Sequence, residues 1–181
     1  MSAAALRQVF VLLACAGCLI ALLGQANHEL APFALTLAAP GLLVVYTALR
    51  LPLARGLAVT GLTGLLLDAG VPVPFGSHAL LLGLGFCALH GVRARLPREE
   101  TLVGVVAALF INLGLFVVLA FARLGDLPDP GSAALRLLAD LLVSQLATAL
   151  LGPWFLALQS RALELAGVAP SAMPAWSRRF G

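Results

Sequence analysis

Twenty-two consecutive residues, Thr101–Ala122, carry no charged side chain. As a helix rising about 1.5 Å per residue, the run is about 33 Å long and crosses a hydrocarbon core of roughly 30 Å. The rest of the chain offers no polar exterior to hide such a segment in water. Only 10% of its 181 residues are charged and 61% are hydrophobic, with mean hydropathy +1.05; soluble domains carry about 25% charged residues. Lipid is therefore the solvent for most of the chain, and the expected fold class is an all-α integral membrane protein.

Six apolar segments are expected to span: Gln8–Gly24, Pro32–Leu49, Gly56–Asp68, Ser77–Val92, Thr101–Ala122 and Ala133–Leu158. They make residues 1–158 one transmembrane domain and leave 159–181 as a short basic cytoplasmic tail. In that tail Trp176, Arg178, Arg179 and Phe180 have the character of a membrane-surface anchor or a partner contact. The third segment is short for a bilayer and runs into Val71-Pro72-Val73-Pro74-Phe75-Gly76, where two prolines forbid regular helix. Irregular backbone at membrane depth needs protein or water to satisfy it. The third and fourth segments should therefore form a tight hairpin with a protein-buried tip.

All eleven basic residues are arginine, which suggests a GC-rich coding sequence and a bacterial source. Arg7, Arg50, Arg55, Arg93, Arg95, Arg98, Arg161, Arg178 and Arg179 fall on one side of a six-span topology, against Arg123 and Arg136 on the other. Cytoplasmic loops carry the positive excess, so both termini are expected inside an inner membrane. The arginines are spread between apolar runs, which argues against a nucleic-acid partner. Arg7, the apolar run Val9–Leu23 and Gly24-Gln25-Ala26 also have the layout of a cleavable signal peptide. A multispanning chain needs no separate signal, and the segment is read as a retained span.

Ionisable groups inside spans are costly and usually face the bundle interior. Gly56, Thr60, Gly64 and Asp68 recur every four residues and share one helix stripe. Small residues there admit a neighbouring helix, so the stripe should deliver Asp68 to a buried position. Ser77 is placed to cap the fourth segment, and Asp68 and His78 could meet across the hairpin, as a lock rather than a proton relay. Asp140 lies four residues after Arg136, a spacing for an interfacial ion pair. Asn112, Ser144, Gln145 and Thr148 are expected to hydrogen-bond between helices, and His90 to sit beside Arg93. Cys15 and Cys18 form a CxxC, but without a second pair or a histidine cluster it is read as packing. No phosphate-binding loop, HExxH or GxSxG motif occurs. No enzyme activity, cofactor or metal is expected.

The hairpin residues Gly61-Leu62-Thr63-Gly64-Leu65-Leu66-Leu67-Asp68, followed by Pro74-Phe75-Gly76-Ser77-His78-Ala79-Leu80, resemble the rod shape-determining protein MreD family. That family shows glycines leading to an aspartate, then Pro-x-Gly-x-[His or Arg]-Ala-Leu with the proline six residues after the aspartate. Gly61, Gly64, Asp68, Pro74, Gly76 and His78 occupy those positions. The arginine-rich loop Arg93–Arg98 and a last span ending near Pro153 are also similar, and the likeness covers most of the chain. Val71-Pro72-Val73 departs from the glycine or serine often found there. The resemblance implies a non-enzymatic membrane scaffold of bacterial cell elongation. Its implied partners are MreC, and with it the RodA glycosyltransferase, its penicillin-binding transpeptidase and the MreB filament. It also implies a fold similar to the membrane substrate-binding subunits of energy-coupling factor transporters. A vitamin-binding subunit of that kind is the alternative function, although Asn27, His28 and Glu29 are the only cluster of polar residues in the short external loops. An intramembrane enzyme would need more convergent acids or bases than Asp68 and His78.

Overall fold

Pro40 begins a helix and Arg50 ends it, and the sequence dictates both ends. Proline suits a first helical turn, where its missing N–H loses no partner, and Pro52 bars continuation beyond. The product, α2 (Pro40–Arg50), is the shortest α-helix among the described residues of the computed structural model and its axis, with every residue from Gly41 to Leu49 buried. The structure describes residues 2–70, 74–96, 101–124 and 130–168, and among these all regular structure is helical.

Five longer helices surround α2: α1 (Ala3–Leu30), α3 (Leu53–Asp68), α4 (Ser77–Val92), α5 (Thr101–Leu124) and α6 (Pro130–Leu165). In ring order α1 touches α3, α3 touches α4, α4 touches α5, α5 touches α6, and α6 returns to α1. Leu19 of α1, Leu42 and Val45 of α2, Phe86 of α4, Ala108 of α5 and Phe155 of α6 share one core. A side chain at Gly41 would overlap the Ala108 carbonyl oxygen, so glycine is what lets α2 and α5 approach. The outward faces stay apolar: Leu138, Leu142, Leu146, Leu150 and Trp154 recur every four residues along α6, all exposed. In water that ladder would be an aggregation site; in a bilayer it meets its own kind.

The two ends of the bundle differ. At one, Arg55 donates from Nη1 to Gln8 Oε1 at 2.7 Å, Gln8 donates to the Val168 carbonyl at 3.4 Å, and Arg93 donates to the Leu51 carbonyl at 2.6 Å. This arginine end gathers the start of α1, the α2–α3 turn and the close of α4 and α6. Asp68, at the end of α3, and Asp140, ten residues into α6 and level with the chain that follows α1, mark the opposite, aspartate end.

The expected segments correspond to helices with three differences. First, α1, α5 and α6 are long and apolar enough to cross a membrane. By contrast α2, α3 and α4, with 11, 16 and 16 residues, rise about 16, 24 and 24 Å, less than a roughly 30 Å core. Second, the segment expected as one helix over Pro32–Leu49 is broken. A single 3-10 turn, Ala31–Phe33, leads through Ala34 at φ +54° into non-helical chain that reaches Pro40. Two prolines eight residues apart explain the break, because each would remove a helix donor and clash one turn back. Third, α6 continues through Pro153 to Leu165, and Leu163 and Val168 are buried. The boundary expected after Leu158 therefore falls inside a helix packed on the bundle. Trp176, Arg178, Arg179 and Phe180 lie outside the described residues, as do Val71-Pro72-Val73 and Arg98.

Candidate functional site

The small-residue stripe of α3 faces protein, as its spacing implied. A side chain at Gly56 would overlap the Phe86 ring, and one at Gly64 would overlap the backbone of Ala79 in the first turn of α4. Thr60 is fully buried and lies 3.1 Å, hydroxyl to hydroxyl, from Thr47 of α2. Contact between α3 and α4 at Gly64 sets the next position of the stripe, Asp68, against the start of α4.

There the Asp68 carboxylate meets four N–H donors. Oδ2 accepts from the Gly76 backbone at 2.9 Å and from Ala79 at 3.4 Å. Oδ1 accepts from the His78 backbone at 2.9 Å and lies 2.8 Å from His78 Nδ1. The first turn of any helix presents N–H groups with no intrahelical acceptor, and its positive dipole end favours an anion. An N-cap normally comes from the residue just before the helix. Here the cap is supplied by the last residue of the preceding helix. The Asp68 side chain has no exposed surface, and that of His78 is 14% exposed.

The other motif positions build the turn that makes this possible, but they turn its tip outward. Pro74 and Phe75 are exposed, which corrects the expectation of a protein-buried tip, because Asp68 already satisfies the backbone donors of the turn from the inner side. Gly76 has φ +96°, a conformation open to glycine at little cost, and it aims its N–H at Asp68. The Pro74 carbonyl accepts from the Ser77 backbone at 3.1 Å and from Ser77 Oγ at 2.6 Å. Ser77 therefore braces the turn instead of capping α4, which corrects the sequence expectation. Asp68 is the better acceptor, carrying charge and two oxygens. Gly64, Asp68, Pro74, Gly76 and His78 thus converge on one structure. Gly61 does not: it is partly exposed, and beyond its own stretch of helix backbone nothing lies within 4 Å of where its side chain would start.

A second lock at the aspartate end was not legible from spacing. The broken stretch before α2 has backbone donors that no helix satisfies. Asp140 accepts from Thr36 twice, backbone to Oδ1 and hydroxyl to Oδ2, each at 2.8 Å. Ser144 Oγ accepts from the Ala38 backbone at 3.0 Å. The Asn27 amide grips Leu37, receiving its N–H at 2.6 Å and donating to its carbonyl at 3.0 Å. So Asp140 is buried and bound to Thr36, while Arg136 is exposed and forms no ion pair with it. Pro40 inside the expected span was the signal for this break.

Of the remaining polar residues, Asn112, Gln145 and His90 fall where expected and Thr148 does not. Asn112 donates to Gln145 Oε1 at 3.5 Å, and Gln145 donates to the Leu109 carbonyl at 3.2 Å, joining α5 to α6. Thr148 instead bonds within its own helix, to the Ser144 carbonyl. His90 Nδ1 lies 3.0 Å from Arg93, and the His90 ring stacks on Phe86. Cys15 is buried, Cys18 and Cys87 are exposed, and all three are free thiols. Among the described residues no three His, Cys, Asp or Glu side chains are grouped to hold a metal ion.

Chemically, both locks are closed. The oxygens of Asp68 and Asp140 already accept from the protein's own donors, which suits holding backbone in place better than moving protons or binding solutes. No protein family, curated protein or solved structure matches the chain.

Proposed function

We propose that this protein is a non-enzymatic inner-membrane scaffold of the bacterial cell-elongation machinery, of the MreD type. It crosses the membrane six times, with the arginine end and both termini in the cytoplasm. The observation that carries the reading is the hairpin. In the MreD-like motif the aspartate, proline, glycine and histidine are spaced for one purpose here: an aspartate that caps the next helix from across a turn. Such a cap stiffens the outer edge of the bundle and presents Pro74 and Phe75, both exposed, as a fixed tip. The partner is an MreC-like protein, whose transmembrane helix or periplasmic region docks on this side. RodA, the penicillin-binding transpeptidase and MreB join through that complex.

The positive-inside rule supports the orientation, because Arg50, Arg55, Arg93 and Arg95 flank helix ends at the arginine end. Short α3 and α4 cross by tilting less and thinning the bilayer locally, at fractions of a kcal/mol per Å of mismatch. The broken second segment crosses as non-helical chain plus α2, its backbone held by Asn27, Asp140 and Ser144.

Deleting the gene in its native bacterium tests the proposal. Rod-shaped cells should round up, and wild-type protein should restore rods where Asp68→Ala, present at equal membrane abundance, does not. Unaltered rod shape after deletion would overturn the assignment.

A further inference from the structure

Of the five contacts around the ring, that between α4 and α5 leaves a groove of about 560 Å³ at the arginine end. Leu89, Val92 and Leu96 form one wall and Leu102, Val106 and Phe110 the other, and every lining side chain is apolar. Leu102, Val106 and Phe110 are largely exposed, at 76%, 49% and 71%. The mouth carries the opposite chemistry. The turn Arg93–Arg95 ends α4 immediately before Leu96; Arg95 is exposed, and Arg93 is held against the Leu51 carbonyl and His90.

We infer that this groove is a binding site for an anionic phospholipid, with one acyl chain between α4 and α5 and its phosphate on Arg95. Two observations favour a lipid over a partner helix. The groove follows α5 from Leu102 to Ile111, roughly 13 Å at 1.5 Å per residue, which matches one leaflet of a core roughly 30 Å thick. A spanning helix needs a surface running through both leaflets. Among the described residues the charge pattern is also that of an amphiphile: the lining is apolar throughout, and the charged residues beside it in the chain, Arg93 and Arg95, are cationic. Basic sites between transmembrane helices on the cytoplasmic side select anionic head groups in this way, and the planar guanidinium forks onto phosphate oxygens. The inference requires the bundle to sit in a bilayer and does not depend on the scaffold function.

The test uses the full chain in vesicles containing phosphatidylglycerol or phosphatidylcholine with a photoactivatable acyl chain, followed by peptide mapping of the crosslinks. Phosphatidylglycerol should label the 88–96 and 102–111 peptides several-fold more than phosphatidylcholine does. The Leu142–Leu150 face of α6 should show no preference. Arg95→Gln should bring groove labelling by the two lipids level. Ala88→Trp, at an exposed position lining the groove, should lower groove labelling by both, with helix content unchanged by circular dichroism. Equal labelling by the two lipids in the wild type, or labelling indifferent to Ala88→Trp, would overturn the inference. So would a groove that labels only when a single-span partner protein is absent and shows no head-group preference, the pattern of a helix-docking surface.

Discussion

Asp68 Oδ1 lies 2.8 Å from His78 Nδ1 and 2.9 Å from the same residue's backbone nitrogen, so one carboxylate oxygen fixes both the ring and the helix start. Of the four donors on Asp68, three are partly buried backbone groups around the first turn of α4, where the helix itself supplies no acceptor. The histidine ring is the fourth and the most replaceable.

That hierarchy sets an order of stabilities. Asp68→Ala removes the acceptor of the N–H groups of Gly76, His78 and Ala79 together with the ring contact, each bond typically worth about 1 kcal/mol and more where water cannot replace the acceptor. His78→Ala removes one bond, typically worth about 1 kcal/mol. Thermal unfolding in detergent, followed by circular dichroism, should therefore rank wild type above His78→Ala and His78→Ala well above Asp68→Ala. The reverse order would mean that the ring, rather than the cap, holds the hairpin.

The glycines separate in the same assay. Gly64→Ala drives a methyl group into the Ala79 backbone, an overpacking that costs about 1–3 kcal/mol. Gly61→Ala meets open space and gains up to about 1 kcal/mol of helix propensity. Two adjacent motif glycines should thus shift the melting temperature in opposite directions.

At the second lock, Thr36→Val and Asp140→Asn should be coupled. Residues sharing hydrogen bonds show interaction energies of about 0.5–3 kcal/mol in a double-mutant cycle, here read from unfolding of the two single variants and the double. Arg136→Gln, at an exposed position, should stay within about 0.5 kcal/mol of wild type. A strong Arg136 effect with no Thr36 coupling would restore the ion pair suggested by sequence spacing.

The topology is open to cysteine accessibility. With Cys15, Cys18 and Cys87 replaced by serine or alanine, Phe75→Cys should react with a membrane-impermeant maleimide on intact spheroplasts. Arg95→Cys should react only after the membrane is opened. The opposite pattern would invert the orientation.

Much of the helix layout was legible because apolar runs and breakers coincide. Ser77–Val92 is a helix at its expected bounds, and Thr101–Ala122 differs from α5 by two residues. The four-residue stripe on α3 was legible because helix periodicity alone puts Gly56, Thr60, Gly64 and Asp68 on one face. What the sequence concealed was non-local. Nothing in the neighbourhood of Asp140 reveals that Thr36, 104 residues earlier, will present two donors to it. Local spacing favoured Arg136, but an exposed arginine gains little from an ion pair, whereas unsatisfied backbone inside a bundle demands an acceptor. Ser77 was misread for a related reason: the cap came from another helix, which a window on the sequence does not see.

The central claim, a scaffold whose hairpin lock shapes a partner site, is tested most directly by co-purification with an MreC-like protein from the same genome. Wild type and Gly61→Ala should retain that partner through detergent extraction. Asp68→Ala should lose most of it and His78→Ala a smaller part, each while still eluting as a folded species. Full retention by both hairpin variants would remove the hairpin from the interface, and no retention by folded wild type would contradict the scaffold itself.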